Sequence, residues 1–191
     1  PRPVVTTNAY SSIFCTGGTT GIQLYSDILG TTFSWTATLN SGSNTTGFSG
    51  GSGTEITQTL QNNSTAIAVV RYVVTPLLDG CSGTPINIDI QINPKPTITS
   101  SATKTICNAT STNYTVTSDV TGATFAITSA TCTLGSVTGY STTLSAGNLI
   151  DQILTNSGTA PGQVTYVLTP TGPTPTFCPD VSVNLVVTVN P

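Results

Sequence analysis

The 191 residues include no histidine, no methionine, one tryptophan and few charges, with four basic side chains against seven acidic. Each scarcity excludes something. Without histidine, neither a Ser-His-Asp triad nor a histidine-ligated zinc site can form. Four scattered cations in a chain of net charge −3 cannot build the basic stripe that nucleic-acid binding requires. No apolar run approaches the roughly 18 residues of a helical membrane span, so no membrane insertion by this segment is expected. Charged residues make up 6% of the chain, against about 25% in an average soluble domain. Yet 37% of residues are apolar, which argues against charge-driven disorder. Threonine and serine are plentiful instead, at 41 and 20 residues, with 18 glycines, 13 asparagines and 12 prolines. This composition predicts a β-rich, nearly neutral protein of extracellular type.

Self-comparison shows two periods of one repeat. Pro1-Arg2-Pro3 recurs as Pro94-Lys95-Pro96. The segment Leu24 to Thr36 matches Val116 to Thr128, with Ser26, Asp27, Gly30, Thr32, Phe33 and Thr36 identical in both. Glu55 to Pro76 matches Leu149 to Pro170 at 11 of 22 positions, with the signature I-x-Q-x-L-x-N, T-A, V-x-Y-V-x-T-P. Ile92-Asn93-Pro94 returns as Val189-Asn190-Pro191. The register predicts a first domain over 1–93, a Pro-Lys-Pro linker over 94–96 and a second domain over 97–191. It also suggests a piece of a longer array, with any export signal lying outside it.

Within each period the patterning has period two. Ile86, Ile88, Ile90 and Ile92 alternate with polar residues, as do Val183, Leu185, Val187 and Val189. Val70-Tyr72-Val74, Val164-Tyr166-Leu168, Phe33-Trp35-Ala37 and Phe125-Ile127 form further inward series. About seven short strands fit each period, near 3–8, 21–26, 31–38, 44–49, 55–61, 67–75 and 85–93 in the first. The fold class expected is all-β: two tandem Ig-like or PKD-like antiparallel sandwiches, strung end to end by a semi-rigid linker.

Four of the five cysteines repeat. Cys15 is equivalent to Cys107, and Cys81 to Cys178. This argues for intradomain bridges Cys15–Cys81 and Cys107–Cys178, with buried thiols as the other reading. Each bridge would close a loop of about 70 residues, worth about 4 kcal/mol, and would imply an oxidising compartment. Cys132 has no counterpart and is expected to be unpaired, either as a small buried residue or as an exposed thiol able to cross-link chains.

Little else suggests chemistry. Asp27, Glu55, Asp79, Asp89, Asp119, Asp151 and Asp180 are spread along the sequence, without the paired carboxylates of acid–base catalysis or the clustered oxygens of a calcium site. No catalytic residue, metal site or cofactor is expected. Asp27 and Asp119 recur before the Phe strand and are expected to cap a turn. Gln58/Gln152 and Asn62/Asn156 recur within I-x-Q-x-L-x-N, where a structural role is the simpler reading.

The blocks T-T-F-S-W-T, G-x-S-G-G-S-G, I-x-Q-x-L-x-N, V-x-Y-V-V-T-P, G-C-S-G-x-P and I-N-P-K-P together resemble a known repeat. The chain is similar to the PKD-like/Ig-like repeats of very large Bacteroidota surface proteins, including gliding-motility adhesins of the SprB type. The second period departs from this pattern: Ile127 replaces the Trp, and Phe177-Cys178-Pro179-Asp180 replaces G-C-S-G. The resemblance implies a cell-surface spacer or adhesion array exported by type IX secretion, with no catalysis and no defined binding residues. The partners it implies are neighbouring repeats of the array, and surface polysaccharide or an abiotic surface reached through other domains. A carbohydrate-binding module of a secreted protein and a subunit of a self-assembling filament are the alternative readings.

Overall fold

The computed structural model describes residues 2–191, so the expectation resting on Pro1 lies outside the described residues. The chain divides into two compact units, Pro1–Pro94 and Lys95–Pro191. Strands of the first are β1 (Val5–Thr7), β2 (Ile13–Cys15), β3 (Ile22–Ser26), β4 (Thr32–Ser41), β5 (Thr45–Thr46), β6 (Gly51–Ser52), β7 (Glu55–Ile56), β8 (Gln61–Asn62), β9 (Ala68–Leu78), β10 (Cys81–Ser82) and β11 (Ile86–Asn93). Those of the second are β12 (Thr103–Cys107), β13 (Thr110–Ser111), β14 (Tyr114–Thr115), β15 (Thr124–Leu134), β16 (Val137–Thr138), β17 (Leu149–Ile150), β18 (Ile153–Asn156), β19 (Gly162–Thr171) and β20 (Val183–Asn190).

In the first unit the largest sheet runs β2-β11-β9-β4-β6, with β10 folded back on β9, and the smaller pairings are β1-β3-β7 and β5-β8. In the second, β12-β20-β19-β15 forms the larger sheet, faced by the short pairings β13-β18-β16 and β14-β17. The period-two series face inward as their alternation requires. Val70, Tyr72, Val74, Ile90 and Ile92 are wholly buried in the first unit, and Val164, Tyr166, Val187 and Val189 in the second. Trp35 is core, and its ring N–H donates to the Ser49 carbonyl at 3.2 Å. In the second unit Ile127 is the buried residue at the equivalent position.

Two expectations need correction. The sandwiches are not wholly antiparallel, because β2 pairs parallel with β11, and β12 pairs parallel with β20. In the first unit the chain starts on one sheet as β1, crosses over at Asn8–Ser12, and continues in the same sense beside the last strand of the other sheet. The strands are also more numerous than seven per period: several are only two residues long, while β4 and β9 run longer than expected. Gly47 and Gly139, at φ +90° and +92°, break what would otherwise be longer strands. A Cβ would lie 2.0 Å from the Thr59 carbonyl oxygen at Gly47 and 2.1 Å from that of Ile153 at Gly139, so only glycine fits either crossing.

Each unit receives the chain at one end and releases it at the other. A Cβ on Gly83 would lie 1.9 Å from the Pro3 carbonyl oxygen, which places the start of the chain beside the segment leading into β11. The chain leaves at the far end of β11, after Asn93. These are called the leading and trailing ends below.

Candidate functional site

The residues shared by the two periods form the same polar lock in each unit. It is built around the glutamine of I-x-Q-x-L-x-N. Gln58 Oε1 accepts from the Ser49 amide at 3.0 Å and from the Tyr72 hydroxyl at 2.8 Å, while Nε2 donates to the Ser49 carbonyl at 2.9 Å. Gln152 repeats this: Oε1 accepts from the Ser141 amide at 2.7 Å and the Tyr166 hydroxyl at 3.0 Å, and Nε2 donates to the Ser141 carbonyl at 3.0 Å. The side-chain amide thus ties a surface loop to the one polar atom of a buried tyrosine. Burial pushes both phenols up to about 12.

Beside the glutamine, the buried Thr20 hydroxyl donates to the Ile56 carbonyl at 2.8 Å and accepts from the Gln58 amide at 2.9 Å. Thr112 does the same with Ile150 and Gln152, at 2.6 and 3.0 Å. These threonines satisfy backbone groups where the strand pairing is interrupted, as buried amides and carbonyls require.

The asparagine ties the trailing end. Asn62 Nδ2 donates to the Ile92 carbonyl at 2.9 Å and the Ala66 carbonyl at 2.7 Å, and Oδ1 accepts from the Ser64 amide at 3.0 Å. Asn156 Nδ2 donates to Val189 and Ala160 at 2.9 and 2.8 Å, and Oδ1 accepts from the Gly158 amide at 2.9 Å. The Asn62 amide donates to Thr16 Oγ1 and the Asn156 amide to Asn108 Oδ1, both at 2.8 Å. Each asparagine is therefore a clasp that closes its own loop and holds the last strand.

The aspartates hold the leading end. Asp27 Oδ1 accepts from the Val4 amide at 2.9 Å, and Asp119 Oδ1 from the Thr97 amide at 2.7 Å. Both donors directly follow a repeat proline, Pro3 or Pro96. The turn itself is capped by the preceding serine, since the Ile28 amide donates to Ser26 Oγ and the Val120 amide to Ser118 Oγ. The expected turn cap is thus serine's role, and the carboxylate reaches across to the incoming chain. The Val4 amide holds the Asp27 carboxyl below its ordinary range, against an opposing effect of desolvation and with further help from the Ser26 hydroxyl.

The expected intradomain disulfides are not formed. Cys81, Cys107 and Cys132 are free thiols, the first two exposed, while Cys15 and Cys178 are in disulfide form. Strand direction explains why neither expected pair can close. Cys15 is level with Asn93, at the trailing end of β11, whereas Cys81 lies beyond the leading end, opposite Leu78. Cys107 is level with Asn190, whereas the Cys178 carbonyl accepts from Gly172, just past the end of β19. The steps from Ile86 to Asn93, or from Val183 to Asn190, alone span about 23 Å at roughly 3.3 Å per residue. A disulfide needs its Cα atoms within about 7 Å. Cys132 is half-buried at a bulge of β15, where its thiol faces the Leu134 carbonyl and accepts from the Val137 amide, both at 3.4 Å.

Among the described residues no group of three or more His, Cys, Asp or Glu could hold a metal ion, and no helix is long and apolar enough to cross a membrane. The acids that sequence reasoning weighed are not brought together. Asp89 instead pairs with Arg71 across β11 and β9, through Nε to Oδ1 at 2.7 Å and Nη2 to Oδ2 at 2.6 Å. The residues that sequence reasoning missed are Thr20, Thr112, Thr16 and Asn108. A signal was available, since extending the match of Leu24 with Val116 upstream aligns Thr20 with Thr112 and Thr16 with Asn108.

Two stretches of the chain, residues 12–96 and 104–191, match the family model described as a PKD-like domain. No curated protein matches the sequence. Among solved structures the chain is similar to human protocadherin-24 EC1-2, at 11% identity and TM-score 0.45 over 98% of this chain and 96% of that one. It is similar also to three N-terminal domains of the bacteriophage RB49 highly immunogenic outer capsid protein. There the identity is 12% and the TM-score 0.46, over 99% of this chain and 70% of that one.

Proposed function

The chain belongs to the PKD-like domain family, as two tandem copies, and on that premise we propose that it is a force-bearing spacer or adhesion repeat of a long extracellular surface protein. The role we infer for the parent protein is surface attachment or gliding motility, with export by type IX secretion and anchoring at the cell surface. The observation that carries this reading is the parallel pairing of terminal strands. In each unit an early strand, β2 or β12, lies beside and parallel to the trailing half of the last strand, β11 or β20. When the two chain ends are pulled apart, these neighbours are drawn in opposite directions along their length. Their hydrogen bonds are then loaded together in shear rather than opened one at a time.

The repeated polar residues support the same reading. Asp27 and Asp119 fix the incoming chain, and Asn62 and Asn156 fix the last strand, so both ends of each unit are tied. With no bridge inside a unit, resistance to extension falls on these bonds and on the core. A chain with 6% charged residues makes little use of ion pairs that salt would screen. Partners on this reading are neighbouring repeats, with polysaccharide or an abiotic surface contacted by other parts of the parent protein. The test is binding of the purified chain to a glycan panel and to bare glass and polystyrene. The spacer reading expects no saturable glycan binding; a saturable, competable glycan would replace it with a recognition module.

A further inference from the structure

Cys81 and Cys107 are exposed thiols at opposite ends of the repeat plan. Cys81 lies at the leading end of its unit, in the tight hairpin of β9 and β10, and Cys107 lies at the trailing end of its own, at the close of β12. Their counterparts in the other period are Cys178 and Cys15, and both counterparts are in disulfide form. Geometry nevertheless puts the two cysteine positions of any one unit far beyond bonding distance. A leading-end cysteine and a trailing-end cysteine are thus the kinds of position that become oxidised in this fold, and neither can be satisfied inside its own unit.

We propose that Cys107 of one copy forms a disulfide with Cys81 of a second copy of this chain, linking copies head to tail. The inference rests on the spacer reading and deepens it by naming the partner, a second copy of this chain joined covalently. The contact is heterologous, so one bond leaves a free Cys81 on one copy and a free Cys107 on the other, and growth continues. Cys132 takes no part, since it is half-buried within its own hairpin.

The chemistry balances by exchange with a small-molecule disulfide. The Cys107 thiolate attacks one sulfur of the disulfide R–S–S–R, forming a mixed disulfide and releasing one thiolate RS⁻. The Cys81 thiolate of the second copy then attacks the Cys107 sulfur and releases the second RS⁻. Two protein thiols are oxidised, one small disulfide is reduced to two thiols, and the protons lost by the cysteines are taken up by the leaving thiolates.

The test uses the full chain with oxidised glutathione, read on non-reducing gels and by peptide mass mapping. The expected result is a ladder extending beyond dimer, collapsed by dithiothreitol, with a Cys81–Cys107 peptide as its cross-link. C81S alone and C107S alone should remain monomeric, and their mixture should stop at dimer. Monomers only, a ladder surviving in C81S, or symmetric Cys81–Cys81 or Cys107–Cys107 links would overturn the proposal. Glycan binding would sink the spacer reading without touching this result, so the two failures are distinguishable.

Discussion

Replacing Asn62 by alanine removes one clasp and nothing else of similar size. The side chain is 3% exposed, and its amide donates to the Ile92 carbonyl in the interior. Alanine leaves that buried carbonyl without this donor, a loss of about 1–3 kcal/mol. The bonds to Ala66 and Ser64 close a loop nearer the solvent, and their groups rehydrate, so each adds at most ~1 kcal/mol. The total expected is about 2–4 kcal/mol. For a unit of this size each kcal/mol moves the melting temperature by about 4–8 °C, so the transition of the first unit should fall by roughly 8–32 °C. Differential scanning calorimetry of the full chain reads this directly. Asn156→Ala should produce a loss of similar size in the second unit, because its bonds to Val189 and Ala160 repeat those of Asn62. Asn63→Ala is the control, an exposed neighbour expected to change stability by less than about 0.5 kcal/mol. If Asn62→Ala costs no more than Asn63→Ala, the clasp is decoration and the reasoning fails.

Three further outcomes are expected. Gly47→Ala should cost more than about 2 kcal/mol, seen as a lower urea midpoint at unchanged slope, because its Cβ meets the Thr59 carbonyl; Gly53→Ala, at φ +137° with open space around it, should cost distinctly less. Asp27 carries a lowered pKa, so its contribution is present above the ordinary carboxylate range and lost as pH falls through the folded value; Asp27→Asn should flatten the acid limb of the melting-temperature profile. Tyr72 and Tyr166, raised to about 12, should give an absorbance titration step well above the ordinary tyrosine range, lost in Tyr72→Phe and Tyr166→Phe together, and their stabilising effect should hold below about pH 10 and vanish as pH rises through about 12.

The buried series were legible because strand alternation is a local property. Ile88, Ile90 and Ile92 and the Tyr72 and Tyr166 strands could be read from spacing alone. The lock was half legible. Repetition pointed to Gln58 and Asn62, but their partners lie far along the chain, such as Ile92 for Asn62, and are set by strand register. β2 was invisible because three residues, each only half-buried, carry no periodic signal. The cysteines misled for a related reason. Equivalence across periods identified the right positions, yet pairing depends on which end of a sandwich each one occupies. That is decided by the parallel course of β2 along β11, which the composition of neither strand encodes.

The most direct test of the spacer account is single-molecule force spectroscopy of the full chain, pulled from its two ends under reducing conditions. Shear of parallel terminal strands predicts two discrete unfolding events, each releasing about 30 nm of chain at up to ~3.6 Å per residue. The later event should belong to the second unit, where β12 pairs with β20 over Thr103–Cys107, against Ile13–Cys15 for β2 with β11. Extension without resolvable force peaks, or a first unit that outlasts the second, would contradict it.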